Sequence, residues 1–379
     1  MEKSNQRISK LDGLRGLLSL VVTLNHSFLV LAIPAFANVW GQNVLEFHDW
    51  QSKIQQIMMI LGNGGAAVTL FFILSGFVMG LSLNKFSKIG LLDTINFYIK
   101  RIIRLYPVYL FLVVVTAIYM WTIFVYKVYP SASTWYTWWM NFQMTVNEFF
   151  LNVFFIHTYL GGVTWTLRVI LIASIIFPIF YLINRRTSKL VDLLLVILLI
   201  VLDFTIFNIP NFRDLRYLFM FYSGLIIAKF SKFFNSIPGW LIYVTSPFVI
   251  FLLLDIRYMT GEYTGGVVEN IICWFIIGLL AYGQELRLFN FLETKFFKYL
   301  GKVSYSLYLT HFSVLYVLSK IMFDNLPNLP YQENYLIIHF IMWGLSLGIT
   351  IILSSIIYRL VEKPALVLSS KLQIHLKEA

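Results

Sequence analysis

Cysteine is almost absent: Cys273 is the only one in 379 residues, and it lies in an apolar stretch. A lone thiol excludes an internal disulfide framework and a cysteine metal cage. Charge is scarce too. Asp, Glu, Lys and Arg make up 12% of the chain, about half the share usual in soluble domains. The six histidines show no HxxxH or HExxH spacing, so no metal site is expected. There is no internal repeat, low-complexity tract or linker, and one domain over 1–379 is the economical reading. The net charge of +11 invites a nucleic-acid partner, but no basic–aromatic stripe or nucleic-acid motif accompanies it. Its lysines and arginines sit instead in short clusters beside apolar runs, as juxtamembrane loops do.

What is abundant is apolar surface, at 59% of residues. With charges confined between long apolar runs, the chain reads as an all-α, polytopic membrane protein. Hydropathy gives about ten spans: 11–32, 57–83, 97–124, 163–183, 190–206, 215–231, 238–255, 266–283, 303–323 and 335–358. The basic start, apolar run and Ala35-Phe36-Ala37 triplet resemble a cleaved signal peptide. The run is too long for one and carries Asn25 and His26, so it is taken as a permanent first span. The segment 125–162 holds Trp135, Trp138 and Trp139, then the apolar patch 149–160. It reads as interfacial or re-entrant, with its aromatics at headgroup level; a full crossing would raise the count to eleven. With ten spans and both termini cytoplasmic, 22 of the 29 lysines and arginines fall on the inner side, as the positive-inside rule requires. Residues 33–56 and 125–162 then face outward.

Candidate chemistry begins in the first span, LDGLRGLLSLVVTLNHSF. Arg15 and His26 share one helix face about 16 Å apart, and Asp12, Ser19 and Thr23 fall on the same stripe. An ionisable group within a span costs about 2.5–3.5 kcal/mol on insertion scales and usually faces a protein interior or cavity. The stripe is therefore either a buried packing device or a catalytic or transport path. Asp12 is placed to pair with Arg15 one turn on. Arg101 and Arg104, one turn apart in YIKRIIRLYPVYLF, offer forked donors suited to phosphates, or serve as an ordinary cytoplasmic anchor. Pro107 removes a helix hydrogen bond just beyond them and is expected to kink the span. Gly62, Gly64, Gly65, Ser75 and Gly76 permit close helix packing in the second span. Arg168 opens the fourth span on the outer side, either lining a cavity or pairing with an acid such as Glu148 or Asp255. Ser304, Tyr305, Tyr308 and His311 recur at helical spacing in the ninth span. The second half of the chain is otherwise plain.

These stretches together resemble the membrane acyltransferase-3 family. LDGLRGLLSLVVTLNHSF resembles its basic residue, ten residues, then histidine, here Arg15 and His26. GGAAVTLFFILSGFVMG resembles its second-span motif, and FYIKRIIRLYPVYLF its arginine-x-x-arginine motif at Arg101 and Arg104. VTWTLRV resembles its tryptophan motif, LGKVSYSLYLTHF its late serine–tyrosine motif, and VEKP its closing glutamate-basic-proline. The tryptophan motif usually continues with a glutamate two residues after Arg168, where this chain has Ile170. A role for that carboxylate is absent here or has moved.

The resemblance is to the stand-alone type. It implies a bacterial-type inner-membrane O-acyltransferase that moves an acyl group, acetyl foremost, from cytoplasmic acyl-CoA to a hydroxyl of a cell-surface glycan. The acceptors the resemblance implies are lipopolysaccharide O-antigen, exopolysaccharide or small secreted glycosides, with a glycan presented lipid-linked or at the surface. Acyl-CoA is then a substrate, and no bound cofactor or metal is implied. The resemblance assigns catalysis to His26 and Arg15, the acyl donor to Arg101, Arg104 and Asp12, and substrate contacts to Trp165, Arg168, Ser304, Tyr305 and His311. The competing readings are a polytopic transporter or flippase for a glycan or small solute, and a non-catalytic scaffold or receptor. An inverted-repeat transporter would show paired broken helices in its two halves, whereas the ionisable motifs here crowd into the first 170 residues.

Overall fold

The computed structural model describes residues 2–32, 47–84, 90–206, 209–284 and 287–375. The loop 33–46 with its Ala35-Phe36-Ala37 triplet, and the basic residues Lys85, Lys88 and Lys377, lie outside the described residues. Among the described residues every regular element is helical, and the only strand-like pairing is an isolated bridge between Leu31 and Ala132.

The helices follow in order: α1 (Glu2–Phe28), α2 (Trp50–Leu61), α3 (Gly64–Leu83), α4 (Leu91–Thr122), α5 (Thr134–Trp138), α6 (Val146–Val153), α7 (Thr164–Arg186) and α8 (Lys189–Phe204). After a tight helical stretch at Pro210–Tyr217 come α9 (Leu218–Ile226), α10 (Ser231–Ser236), α11 (Gly239–Thr260), α12 (Glu262–Tyr282), α13 (Lys295–Asn325), α14 (Tyr335–Ile357) and α15 (Lys363–His375). Their starts carry the expected chemistry. Asp49, Asn63, Thr145 and Ser188 each accept a hydrogen bond from a backbone N–H of the first turn, satisfying donors the helix leaves open.

Each of the ten expected spans has a helical counterpart. Eight stretches of the described residues are long and apolar enough to cross a membrane, with α2 and α3 forming one of them. The other two expected spans are α1 and α8. Asp12, Arg15, Asn25 and His26 dilute the apolar run of α1, and α8 has only 16 residues. The patch at 149–160 does not add an eleventh: α6 has eight residues and reaches about 12 Å, against a hydrocarbon core of about 30 Å. Helix α4 runs on through Pro107 without a break in its helical conformation.

The chain divides into two compact units interleaved along the sequence. The first comprises Met1–Ser19, Asn63–Arg101 and Val169–Lys302; the second comprises Leu20–Gly62, Ile102–Arg168 and Val303–Ala379. In the first unit α3 and α9 meet at backbone distance. A Cβ on Gly76 would strike the carbonyl oxygen of Phe221, and one on Gly224 would strike that of Ile73. The expectation that small residues serve close packing in this span therefore holds at Gly76.

The first unit also holds three ion pairs that correct the expectation of a plain second half. Asp192, fully buried, accepts from Lys229 at 2.5 Å, Tyr222 at 2.7 Å, Thr187 at 2.6 Å and Asn184 at 3.1 Å. Arg216 donates to Asp203 at 3.2 Å and lies over the ring of Tyr263. Glu269, also fully buried, is gripped by Arg257 through both carboxylate oxygens and accepts from Thr69 and Asn63, each at 3.2 Å. Partners 37, 13 and 12 residues apart follow no helical period, so hydropathy alone did not reveal them.

Candidate active site

The second unit is built around the last turn of α1, whose carbonyls have no partner within the helix. Side chains of α2, of α14 and of Ser133, just before α5, supply donors to this turn and to Leu29 directly after it. Gln55 of α2 donates to the Phe28 carbonyl at 3.0 Å, Nδ1 of His339 on α14 meets that of Ser27 at 3.0 Å, and Ser133 donates to that of Leu29. The backbone continues the clamp: Ser133 N–H donates to Val30 and Ala32 N–H to Ser131. His26 sits in this turn, so three helix–side-chain contacts immobilise the backbone that carries it.

Ser133 has a second role. Its oxygen caps α5 by accepting from the Tyr136 N–H at 3.1 Å. Tyr136, buried, stacks on Tyr316 of α13 with ring centres 4.5 Å apart. Helix α5 is thereby fixed against α1 and α13 together, and this delivers Trp135 to His26, with ring centres 5.3 Å apart. Trp139 and Phe312 complete the wall: Phe312 presents its edge to His26, and Trp135 and Trp139 each meet Phe312 at a steep angle. The close approach of Gly162 explains why the wall forms there, since a Cβ at that position would press into the Phe312 ring.

Within this wall Nδ1 of His26 lies 2.9 Å from Nε2 of His311. The two rings are nearly parallel, 5.1 Å apart. His311 is buried, whereas His26 is only partly covered. Among the described residues Nε2 of His26 makes no hydrogen bond. Next to His311, Tyr308 shares a hydrogen bond of 3.1 Å with Thr166 of α7. One further turn back Tyr305 donates to the Leu105 carbonyl, tying α13 to α4. Ser306, on another face of α13, donates to Glu362 of the VEKP stretch at 2.5 Å.

Of the residues singled out in the sequence, His26, Arg104, Trp165, Arg168, Ser304, Tyr305 and His311 belong to this second unit, and Asp12, Arg15 and Arg101 to the first. His26 and His311 are brought into contact. Trp165 and Arg168 lie in the first two turns of α7, beside the Thr166 that reaches Tyr308. Arg168 donates to the Ile156 carbonyl at 3.1 Å, while the carboxylate of Glu148 is engaged by His157 at 2.8 Å and by Asn152. In the first unit Asp12 and Arg15 approach to 3.7 Å, as their spacing predicts, and Arg101 donates to Ser174 at 3.2 Å.

Trp135, Trp139, Phe312 and Thr166 were not marked as site residues by the sequence. A tryptophan-rich outward loop has the same composition whether it anchors at headgroups or lines a site. His311 stood out only as one member of a helical series. Its partner lies 285 residues away, a separation on which no local pattern bears.

No curated protein and no solved structure is significantly similar to the chain. A family profile is: the one described as Acyltransferase domain, of the acyltransferase-3 group, matches residues 8–359. A match over nearly the whole chain, on a helical framework with a histidine held in an aromatic-walled site, makes this integral membrane protein a member of the acyltransferase-3 family, an acyltransferase.

Proposed function

We propose that the protein moves an acyl group, acetyl foremost, from acyl-CoA to a hydroxyl of a cell-surface glycan such as O-antigen or exopolysaccharide. The observation that carries this reading is the state of His26: one ring nitrogen is held by His311, and the other has no hydrogen-bond partner among the described residues, in a partly covered, aromatic-walled site. An imidazole with a bare nitrogen serves as a general base near neutral pH or as a transient acyl carrier.

As a base, Nε2 takes the proton of the acceptor hydroxyl while its oxygen attacks the thioester carbon. The carbon–sulfur bond breaks, and the leaving thiolate recovers the proton as free CoA. As a carrier, Nε2 itself attacks the thioester carbon and the carbon–sulfur bond breaks, releasing the thiolate; the hydroxyl then takes the acyl group as the nitrogen–carbon bond breaks, and its proton passes through the ring to the thiolate. Arg101 and Arg104, one turn apart on α4, supply the planar donors that grip the phosphates of the donor. Asp12 orients Arg15 on α1. Trp135 and Trp139 offer flat apolar faces, which suit the C–H face of a sugar ring.

An inner membrane with both termini in the cytoplasm places acyl-CoA on the side of the basic clusters. Cysteine introduced at Lys53 should then react with an impermeant thiol reagent, and cysteine at Lys189 should not; the reverse pattern overturns this topology. Mass spectrometry of surface polysaccharide with and without the gene tests the function. Loss of an acyl-sized mass on deletion is expected, and an unchanged polysaccharide contradicts the acceptor class.

A further inference from the structure

We infer that His311 is a positioning residue: by accepting the Nδ1–H of His26 at its own Nε2, it leaves Nε2 of His26 bare for the reaction. This rests on the acyl-transfer role proposed for His26.

The 2.9 Å contact between Nδ1 of His26 and Nε2 of His311 carries one proton, so only two neutral arrangements exist. In one, the proton is on His26 Nδ1, and its Nε2 is a lone pair aimed away from His311. In the other, the proton is on His311 Nε2, His26 carries its own proton on Nε2, and His26 can act as neither base nor nucleophile. The surroundings select the first. His311 is 3% exposed, and its Nδ1 has no hydrogen-bond partner at ordinary distance. Nε2 of His311 is turned to His26, which leaves Nδ1 on the side of its own helix; a helical side chain lies over the preceding turn, and main-chain carbonyls there favour a proton on Nδ1. With that proton placed, Nε2 of His311 is an acceptor, and the shared proton belongs to His26. When His26 takes a second proton during transfer, its Nδ1–H still points at a lone pair, so the partner need not rearrange. A neutral histidine here does what a buried carboxylate does for other catalytic histidines, without adding a charge to an apolar site.

The relation is also asymmetric in space. His26 is partly open, with tryptophan walls; His311 is buried beside it, next to the Tyr308 that pairs with Thr166. Only His26 is placed to touch a substrate.

The test uses the full-length protein in membranes, with acetyl-CoA as donor and the host's isolated surface polysaccharide as acceptor, read by release of the CoA thiol. His311→Leu keeps the bulk and removes the acceptor; His311→Gln keeps the bulk and returns an acceptor oxygen. Turnover of the Leu variant should fall about 100-fold, within the range for loss of general-base function, with KM for acetyl-CoA within about twofold. The Gln variant should recover at least about tenfold over Leu. A Leu variant as fast as wild type, a Gln variant no faster than Leu, or a change confined to KM overturns the positioning role.

His26→Ala runs beside them. If it is inactive while His311→Leu is unaffected, only the positioning role fails. If it is fully active, the function proposed for His26 fails and the positioning role with it. Solid-state NMR of nitrogen-labelled histidine reads the unaltered protein and does not depend on a variant folding. The proton of His26 should be on Nδ1 with Nε2 bare, and the opposite tautomer overturns the inference.

Discussion

Glu269 and His26 each place a titratable side chain on a helix that is mostly apolar, and the surroundings treat them differently. Glu269 is fully buried and every neighbour answers its charge: Arg257 on both oxygens, then Thr69 and Asn63. His26 is partly open and, among the described residues, has His311 on one ring nitrogen and no hydrogen bond on the other. The first arrangement has no capacity left for another molecule. The second has been held in place, by the capping of the α1 carbonyls and by α5, without being satisfied. Charge inside a membrane protein marks function by default. Here the more useful sign is incomplete satisfaction inside a rigid frame.

The contrast makes graded predictions. The largest effect on activity belongs to His26→Ala: transfer should fall about 10²–10⁴-fold if the ring is a base, and to background if it carries the acyl group. Donor binding and expression should be retained. Labelled acyl-CoA without acceptor distinguishes the roles, since only a carrier retains label at His26. His26→Gln should be equally impaired, and a fully active Gln variant would reduce the histidine to packing.

Glu269→Ala should produce the opposite profile. Leaving Arg257 without its carboxylate should destabilise the fold by about 3–5 kcal/mol, measured as a fall in the thermal midpoint in detergent, while turnover per folded molecule stays near wild type. A large loss of turnover in a stably folded variant would make this pair functional and erase the contrast. Gly224→Ala should cost stability through sterics alone, about 1–3 kcal/mol, because its Cβ meets main chain of α3 rather than a movable side chain.

How far the chain announced this arrangement differs from region to region. The apolar runs located the helices, because a span about 20 residues long has few alternatives. The lengths of α1 and α6 were less legible: the polar start from Glu2 continues the first helix, and the apolar patch after Thr145 turns out after two turns of helix. His26 and the two arginines of α4 were visible because they interrupt apolar sequence. Tertiary partners were not. Arg168 reaches the backbone carbonyl of Ile156, a partner its position did not suggest. Trp135, read as a headgroup anchor, lies against His26 because Ser133 both caps α5 and bonds the end of α1.

Smaller effects sharpen the picture. Arg104→Ala should weaken acyl-CoA binding about tenfold or more, with partial rescue by Lys, since an ammonium lacks the forked geometry. Unchanged donor affinity in both variants would leave the arginines as anchors. The smallest effect belongs to Asp12→Asn. The Asp12–Arg15 pair is long, at 3.7 Å, and the Asp12 side chain is 51% exposed, so the loss of stability should stay below about 1 kcal/mol. A larger loss would show that the pair is shielded from solvent in the membrane.

The most direct measurement follows the acyl group itself. Purified full-length protein, reconstituted with acetyl-CoA labelled in its acetyl group and with the host's surface polysaccharide, is compared with the His26→Gln variant. Label should appear as an ester on the polysaccharide, in step with free CoA, with wild type only. No labelled ester with wild type, or equal transfer by the variant, would contradict an acyl transfer centred on His26.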